Sequence, residues 1–176
     1  MRILVLGGIR SGKSEFAESV IADCAGAEAS VRYIATGPVA DDDDWAARVS
    51  AHRERRPRHW STAESTDLAK QLRTDDSSPT LVDDVAGWLT AAMDRAQAWT
   101  GGSVRADTDN LIGAVETHGA DLVLVSPEVG LTVVPETVAG RRFADELGVL
   151  NQRLAALCDR VVLVVAGQPV TVKGPS

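Results

Sequence analysis

Aromatic residues and cysteines are scarce in this chain, and each shortage restricts what the protein can be. Aromatic residues make up 4% of the 176 residues, so the hydrophobic core has to rest on valine, leucine, isoleucine and alanine. The two cysteines, Cys24 and Cys158, lie too far apart to form a metal-binding spacing. We therefore expect two reduced thiols in the core and a cytoplasmic location for the protein.

Long hydrophobic runs and an excess of positive charge are missing as well. No apolar run approaches the roughly 20 residues that a membrane-spanning helix needs, so we expect no membrane span. The net charge of −7 argues against broad nucleic-acid binding, which requires a basic surface. A hydrophobic content of 44% is ordinary for a globular protein with a substantial core. We expect a single domain over residues 1–176.

The most informative stretch is a glycine-rich segment between a short apolar run and an amphipathic helical pattern. Its residues fit G-x-x-x-x-G-K-[ST], the phosphate-binding P-loop, as Gly7, Gly8, Ile9, Arg10, Ser11, Gly12, Lys13 and Ser14. Glycines allow the tight turn in which successive N–H groups point at phosphate oxygens, and the following helix adds its positive N-terminal end. Lys13 is expected to reach the β- and γ-phosphates, and Ser14 to offer its hydroxyl to Mg²⁺. The alternative, a chance glycine turn, is disfavoured by the strand–loop–helix context.

Apolar, β-branched runs alternate with helical patterns along the chain. This alternation predicts an α/β fold with a largely parallel central sheet flanked by helices. Because the P-loop follows the first strand, we expect a P-loop NTPase, and we expect its fold to be RecA-like. The predicted strands span residues 3–6, 31–35, 80–82, 122–125 and 161–165, with a short terminal strand at 170–172. The predicted helices span residues 13–25, 43–54, 65–72, 85–98, 107–117 and 141–157.

Two adjacent carboxylates end the third predicted strand. In P-loop proteins an acid at this position commonly holds Mg²⁺ opposite the loop serine, and we assign that role to Asp83, with Asp84 in reserve. The alternative is a helix N-cap, because an apolar helical pattern follows and aspartate caps helices well. The two interpretations can both hold for adjacent residues.

Five arginines between positions 48 and 58 surround a histidine, His52, in this acidic chain. Neighbouring cations lower the pKa of an imidazole from about 6.5 and leave it neutral and nucleophilic near pH 7. The same arginines can neutralise phosphate oxygens and a departing pyrophosphate. Spacing alone favours the alternative, an ordinary surface histidine on a salt-bridged helix. His59 and His118 compete for any role, although His118 lies in a predicted loop without evident partners.

Further motifs follow the P-loop in a fixed order. The second predicted strand ends in Tyr33-Ile34-Ala35-Thr36, and the other motifs lie at residues 42–52, 56–64, 125–130, 142–152 and 163–167. Together they resemble one family, the bifunctional adenosylcobinamide kinase / adenosylcobinamide-phosphate guanylyltransferase of cobalamin biosynthesis. The resemblance runs from Ile3 to Lys173. It is specific, because generic P-loop kinases lack the later motifs.

The resemblance implies two reactions and a set of site residues. The first reaction phosphorylates the aminopropanol hydroxyl of adenosylcobinamide with ATP or GTP. The second transfers GMP from GTP to that phosphate through a guanylyl-histidine, giving adenosylcobinamide-GDP and pyrophosphate. The matching histidine is His52, which with Lys13 forms the candidate catalytic pair. Nucleotide contacts are implied at Ala35, Thr36, Arg53, Glu54, Arg55, Arg56, Glu64 and Asp83, with Mg²⁺ held by Ser14 and Asp83.

Glu64 is a candidate to read the guanine base, since one carboxylate can accept hydrogen bonds from two adjacent donors. A corrinoid is large for one domain of this size, which favours a site shared between subunits. The family's trimeric habit accordingly implies a homo-oligomer, with residues 129–134 and Trp88-Leu89 as candidate surfaces. Pro127 and Thr132 depart from the family pattern, in which asparagine and glycine are frequent at these positions. We expect these departures to affect the details of substrate contact and not the type of reaction.

Two other functions remain open at this point. The protein could be a kinase alone, with His52 as a structural residue, or a regulatory RecA-like NTP-binding protein without a phosphoryl acceptor. A covalent adduct on His52 would distinguish the bifunctional enzyme that the resemblance implies from both of these alternatives.

We predict that protein incubated with α-labelled GTP and Mg²⁺ retains label after denaturation, and that His52→Ala retains none. A guanylyl-histidine contains a phosphorus–nitrogen bond, so the label should be lost in acid and kept in base, and its absence from His52→Ala assigns it to that residue. The measurement is label retained on the denatured chain. Equal labelling of both proteins, or no labelling despite GTP binding, would contradict the assignment of His52.

Overall fold

The computed structural model describes residues 1–26, 28–36 and 56–175, and the elements below belong to this part of the chain. Its strands are β1 (Arg2–Gly7), β2 (Arg32–Ala35), β3 (Ser61–Glu64), β4 (Thr80–Asp83), β5 (Leu122–Pro127), β6 (Arg160–Val165) and β7 (Gln168–Lys173). Its helices are α1 (Lys13–Ala25), α2 (Leu68–Thr74), α3 (Val85–Arg95), α4 (Arg105–Thr117) and α5 (Val138–Leu157). The helix predicted over residues 43–54 lies outside the described residues. None of the described helices has the length and hydropathy to cross a membrane.

The strands form one sheet in the order β3-β2-β4-β5-β1-β6-β7. All neighbouring strands are parallel except β6 and β7, which are antiparallel. The strand β1 lies inside the sheet, and β5 separates it from β4. The largely parallel sheet predicted from the sequence is therefore confirmed, as is the short terminal strand that returns along β6.

Alternate side chains of β1 enter two layers of the core, because successive residues of a strand point to opposite faces. Ile3 and Val5 pack with α1 on one face of the sheet. Leu4 packs on the other face, where α2, α3, α4 and α5 contribute buried residues. Full burial of each such aliphatic side chain contributes about 1.5–3 kcal/mol. Helices thus flank the sheet on both sides.

The edge strand β3 was not predicted from the sequence. Its residues Ser61–Glu64 are polar or small and mostly exposed, so they lack the apolar alternation that identifies a half-buried strand. Pairing with β2 orders them instead, since Arg32 to Ala35 lie in register with Ser61 to Glu64. The helix α2 also begins later than predicted, at Leu68, because the Asp67 side chain accepts a hydrogen bond from the Lys70 backbone and caps it.

The prediction that Trp88 and Leu89 form part of a subunit surface is wrong. Trp88 is 3% exposed and Leu89 is fully buried, because α3 turns both toward the core that it shares with the other helices of its face. The other candidate surface, the loop at residues 129–134, has exposed apolar side chains. Leu131, Val133 and Val134 are all more than two-thirds exposed to solvent.

His118 has close contacts that the sequence did not suggest. It ends α4, is 2% exposed, and its Nδ1 lies 3.3 Å from the Leu72 carbonyl oxygen. Its Nε2 is buried and has no hydrogen-bond partner among the described residues. Burial lowers the pKa of His118, because a charged imidazole would lose its hydration there. His118 thus lies just after the helix, in the predicted loop, but it is buried and has a partner in the Leu72 carbonyl that the sequence did not reveal.

We predict that protonation of His118 destabilises the fold in mild acid. Because the pKa of His118 is lowered in the folded state, its contribution to stability is present above the unfolded value of about 6.5 and is lost as the pH falls. Urea unfolding between pH 7.5 and pH 5.5 should show a smaller loss of stability for His118→Gln than for the unmodified protein. Parallel pH profiles for the two proteins would contradict a buried neutral histidine.

Candidate functional site

The segment between β1 and α1 forms a tight loop around the start of the helix. Gly12 precedes α1 with a φ of 90°, a left-handed conformation that glycine adopts without a steric penalty. Within the loop the Ser11 backbone N–H donates to the Gly8 carbonyl at 3.3 Å, and Lys13 Nζ donates to the same oxygen at 3.2 Å. The lysine thus lies over the loop, at the helix N-terminus that attracts anions.

Close packing beneath the loop leaves no room for a side chain at Gly7. A Cβ atom there would lie 2.4 Å from Ser11 Oγ and 2.8 Å from the Val164 carbonyl oxygen. The turn between β6 and β7 supports the loop from the other side, because the Gly167 N–H donates to the Ser11 carbonyl at 2.8 Å. Ser11 Oγ is buried without a hydrogen-bond partner among the described residues.

The two acids at the end of β4 have different hydrogen-bond partners. Asp83 accepts a hydrogen bond from Ser14 Oγ at 3.4 Å, so it faces the start of α1. Asp84 instead caps α3, since its side chain accepts from the Ala86 N–H at 3.0 Å. Burial, together with the charge of Asp83, raises the pKa of Asp84 to about 6.

The ends of β2 and β3 lie beside these acids. Ala35 is in register with Asp83 on one side and with Glu64 on the other. Thr36 follows, and its N–H donates to the Asp83 carbonyl at 3.0 Å. The sheet therefore brings Ala35, Thr36, Glu64 and Asp83 together at one edge. The family resemblance had implied nucleotide contacts for all four residues.

A cavity of about 530 Å³ adjoins this edge and is lined by Arg56, Pro57, Arg58, Trp60, Thr62 and Glu64. Arg56 Nη1 donates to Thr62 Oγ1 at 3.3 Å across its wall. The cavity thus has a cation, an indole ring and a carboxylate within one space, a combination that can hold a planar, polar ring system.

Four of the predicted site residues lie outside the described part of the chain, so their placement stays a prediction. They are His52, Arg53, Glu54 and Arg55.

One residue of the site was missed in the sequence. Tyr33 donates a hydrogen bond from its hydroxyl to Asp83 Oδ2 at 2.6 Å. The available signal was its position in β2, two residues before Ala35 and thus on the same face of the sheet.

The fold and the site together define a class. A phosphate loop joins an interior strand of a largely parallel sheet to the first helix, and an acid lies opposite the loop serine at the end of β4. One strand separates the loop strand from the acid-bearing strand, the RecA-like arrangement. The molecule is a P-loop nucleotide-binding protein with a RecA-like fold.

Comparison with known proteins identifies the family. The family model for cobinamide kinase / cobinamide phosphate guanyltransferase matches residues 3–172, and the chain belongs to this family. The bifunctional adenosylcobalamin biosynthesis protein CobU of Salmonella typhimurium is 40% identical over 98% of this chain and 100% of its own length. The protein CobP of Pseudomonas aeruginosa, described in the same words, is 40% identical over 99% of this chain and 98% of its own.

A solved structure supports the fold independently. The crystal structure of flagellar accessory protein FlaH from Methanocaldococcus jannaschii matches with a TM-score of 0.56, over 98% of this chain and 78% of that chain. The two sequences are 10% identical, so this likeness bears on the fold alone.

We predict that Gly7→Ala lowers the free energy of unfolding by about 1–3 kcal/mol, because the new methyl group overlaps Ser11 Oγ and the Val164 carbonyl. Gly8→Ala is the matched control, since a Cβ there meets nothing within 4 Å. Chemical unfolding of the nucleotide-free proteins measures both. Equal stability of the two variants would show that the loop does not pack as described.

Proposed function

We propose that this protein catalyses both reactions of its family's name, on an adenosylcobinamide acceptor. The first transfers the γ-phosphoryl group of ATP or GTP to the acceptor hydroxyl. The second transfers GMP from GTP to the phosphate so formed, giving adenosylcobinamide-GDP and pyrophosphate. The observation that carries the proposal is the family match over residues 3–172 on a chain whose phosphate loop has the required geometry.

The phosphoryl-transfer step rests on the loop between β1 and α1. Its backbone N–H groups and the N-terminus of α1 would hold the phosphates, with Lys13 on the β- and γ-oxygens. The bond from the γ-phosphorus to the β–γ bridging oxygen breaks and the nucleoside diphosphate leaves, while the acceptor oxygen bonds to phosphorus and gives up its proton to solvent. In this step the chain's residues position the reactants and balance charge.

Ser14 and Asp83 are the residues that we propose for Mg²⁺. A hydroxyl and a carboxylate oxygen facing each other at 3.4 Å match the hard oxygen donors that this ion prefers. Mg²⁺ typically takes one or two protein ligands and completes its shell with phosphate oxygens and water. When bound, the ion would neutralise charge that develops on the transferred phosphoryl group.

For the guanylyl-transfer step we propose His52 as the nucleophile, as the family resemblance implies. A neutral imidazole nitrogen bonds to the α-phosphorus of GTP while the α–β bridging bond breaks and pyrophosphate leaves. An oxygen of the acceptor phosphate then bonds to the α-phosphorus and releases the imidazole. Arg53, Glu54, Arg55 and Arg56 follow His52 in sequence, and we propose that they contact the nucleotide.

We propose that the cavity beside β3 receives the guanine base. Glu64 and Arg56 both line it, and Trp60 supplies an aromatic surface on which a base can stack. A carboxylate at Glu64 would accept from the two adjacent N–H donors of a guanine edge, which adenine lacks. This arrangement would favour GTP over ATP at the guanylyl-transfer step.

The remaining expectations also stand as proposals. A corrinoid acceptor fits the family, and the exposed apolar residues Leu131, Val133 and Val134 lie in the loop that leaves β5 near the phosphate site. We propose a homo-oligomer, with a trimer as the expected form, that acts in the cytoplasm.

We predict that purified protein with adenosylcobinamide, Mg²⁺ and ATP forms the phosphorylated acceptor, and that added GTP converts it to adenosylcobinamide-GDP. Mass spectrometry of the corrinoid products distinguishes the two additions. His52→Ala should stop at the phosphorylated acceptor, because the first reaction does not use the imidazole. A wild-type protein that stops there would be a kinase alone, and one that leaves the corrinoid unchanged would contradict both reactions.

A further inference from the structure

Tyr33, the single tyrosine of the chain, has its polar end at the candidate metal site. It is 2% exposed, and its hydroxyl donates to Asp83 Oδ2 at 2.6 Å. A buried phenol needs a hydrogen-bond partner, and a bond to an ionised acceptor is about twice as strong as one between neutral groups. The contact therefore constrains both side chains.

Two hydroxyl groups thus contact the two oxygens of one carboxylate. Tyr33 donates to Oδ2, and Ser14 donates to Oδ1 at 3.4 Å. The terminal torsion of an aspartate is otherwise broad, so a short hydrogen bond to one oxygen fixes the orientation of the carboxylate relative to Ser14.

The ring of Tyr33 contacts a second group of the site. The Arg56 guanidinium lies over the ring, 3.3 Å from the centroid, in a cation–π contact. Arg56 Nε lies 3.8 Å from Glu18 Oε1 on α1, and the side chains of both residues are almost buried. The tyrosine therefore connects the end of β4 with α1 and with the wall of the cavity beside β3.

We propose that Tyr33 is a positioning residue that orients Asp83 toward Ser14 and thereby sets the affinity of the site for a divalent cation beside the bound nucleotide. The proposal rests on the proposed role of Asp83 and Ser14 in holding Mg²⁺. It assigns no contact between Tyr33 and the substrate. Its effect should appear in the Mg²⁺ requirement and not in the affinity for metal-free nucleotide.

Tyr33→Phe tests this proposal, because it removes only the hydroxyl and keeps the ring under Arg56. Binding of a fluorescent GTP analogue is titrated over a Mg²⁺ series and again in EDTA. We expect the half-saturating Mg²⁺ concentration to rise about tenfold, the factor that corresponds to losing one hydrogen bond to a charged group. The affinity in EDTA should match that of the unmodified protein.

Asp83→Asn serves as the reference variant and separates two kinds of failure. If Asp83→Asn raises the Mg²⁺ requirement and Tyr33→Phe leaves it unchanged, the positioning role is overturned while the metal role of Asp83 stands. If neither variant changes it, the metal role itself is wrong and the positioning role falls with it. A lower thermal stability of Tyr33→Phe with unchanged Mg²⁺ dependence would assign the residue to folding alone.

A second measurement covers the case in which Tyr33→Phe does not fold. Because the chain has one tyrosine, labelling with 3-fluorotyrosine gives one ¹⁹F resonance that reports this side chain alone. We expect the resonance of the GTP complex to shift when Mg²⁺ is added, and to stay in place in Asp83→Asn. A resonance that ignores Mg²⁺ in the otherwise unmodified protein would overturn the proposal.

Discussion

The hydrogen-bond register of the parallel strands is the constraint on which the candidate site depends. Five neighbouring strands place Glu64, Ala35, Asp83, Val125 and Val5 in one row across the sheet. Residues in such a row point to the same face, here the face covered by α1. A slip of one residue in β4 would turn Asp83 away from Ser14 and present Asp84 instead. The register also explains why adjacent aspartates differ in role, one facing α1 and the other capping α3.

A nucleotide is an anion, so its site needs a positive local potential on a chain whose net charge is −7. The backbone N–H groups of the loop, the N-terminus of α1 and Lys13 supply this potential, and the helix contribution is strongest within the first turn. Arg56 adds a second cation at the cavity beside β3, held by Glu18 and by the ring of Tyr33. An overall negative charge is therefore no obstacle to nucleotide binding, because the local potential of the site decides it.

Features that depend on neighbouring residues in the sequence could be predicted, whereas features that depend on contacts between distant residues could not. The phosphate loop and the apolar strands are local patterns, and the structure has them where they were predicted. The strand β3 was missed because its order comes from pairing with β2 and not from its own polar residues. Trp88, Leu89 and His118 were misjudged because their burial depends on which side of a helix or loop meets the core. The contact between Tyr33 and Asp83 joins residues 50 positions apart and has no local signature.

The most direct test of a nucleotide and metal site at this sheet edge is a crystal structure with Mn²⁺ and a non-hydrolysable GTP analogue. Mn²⁺ takes the place of Mg²⁺ on oxygen ligands and can be located by its anomalous scattering. The account predicts one anomalous peak beside the β- and γ-phosphates, bonded to Ser14 Oγ and bound to Asp83 directly or through one water, with the base in the cavity that Glu64 lines. Phosphates in the loop with the metal away from both side chains, or a base bound elsewhere, would contradict it.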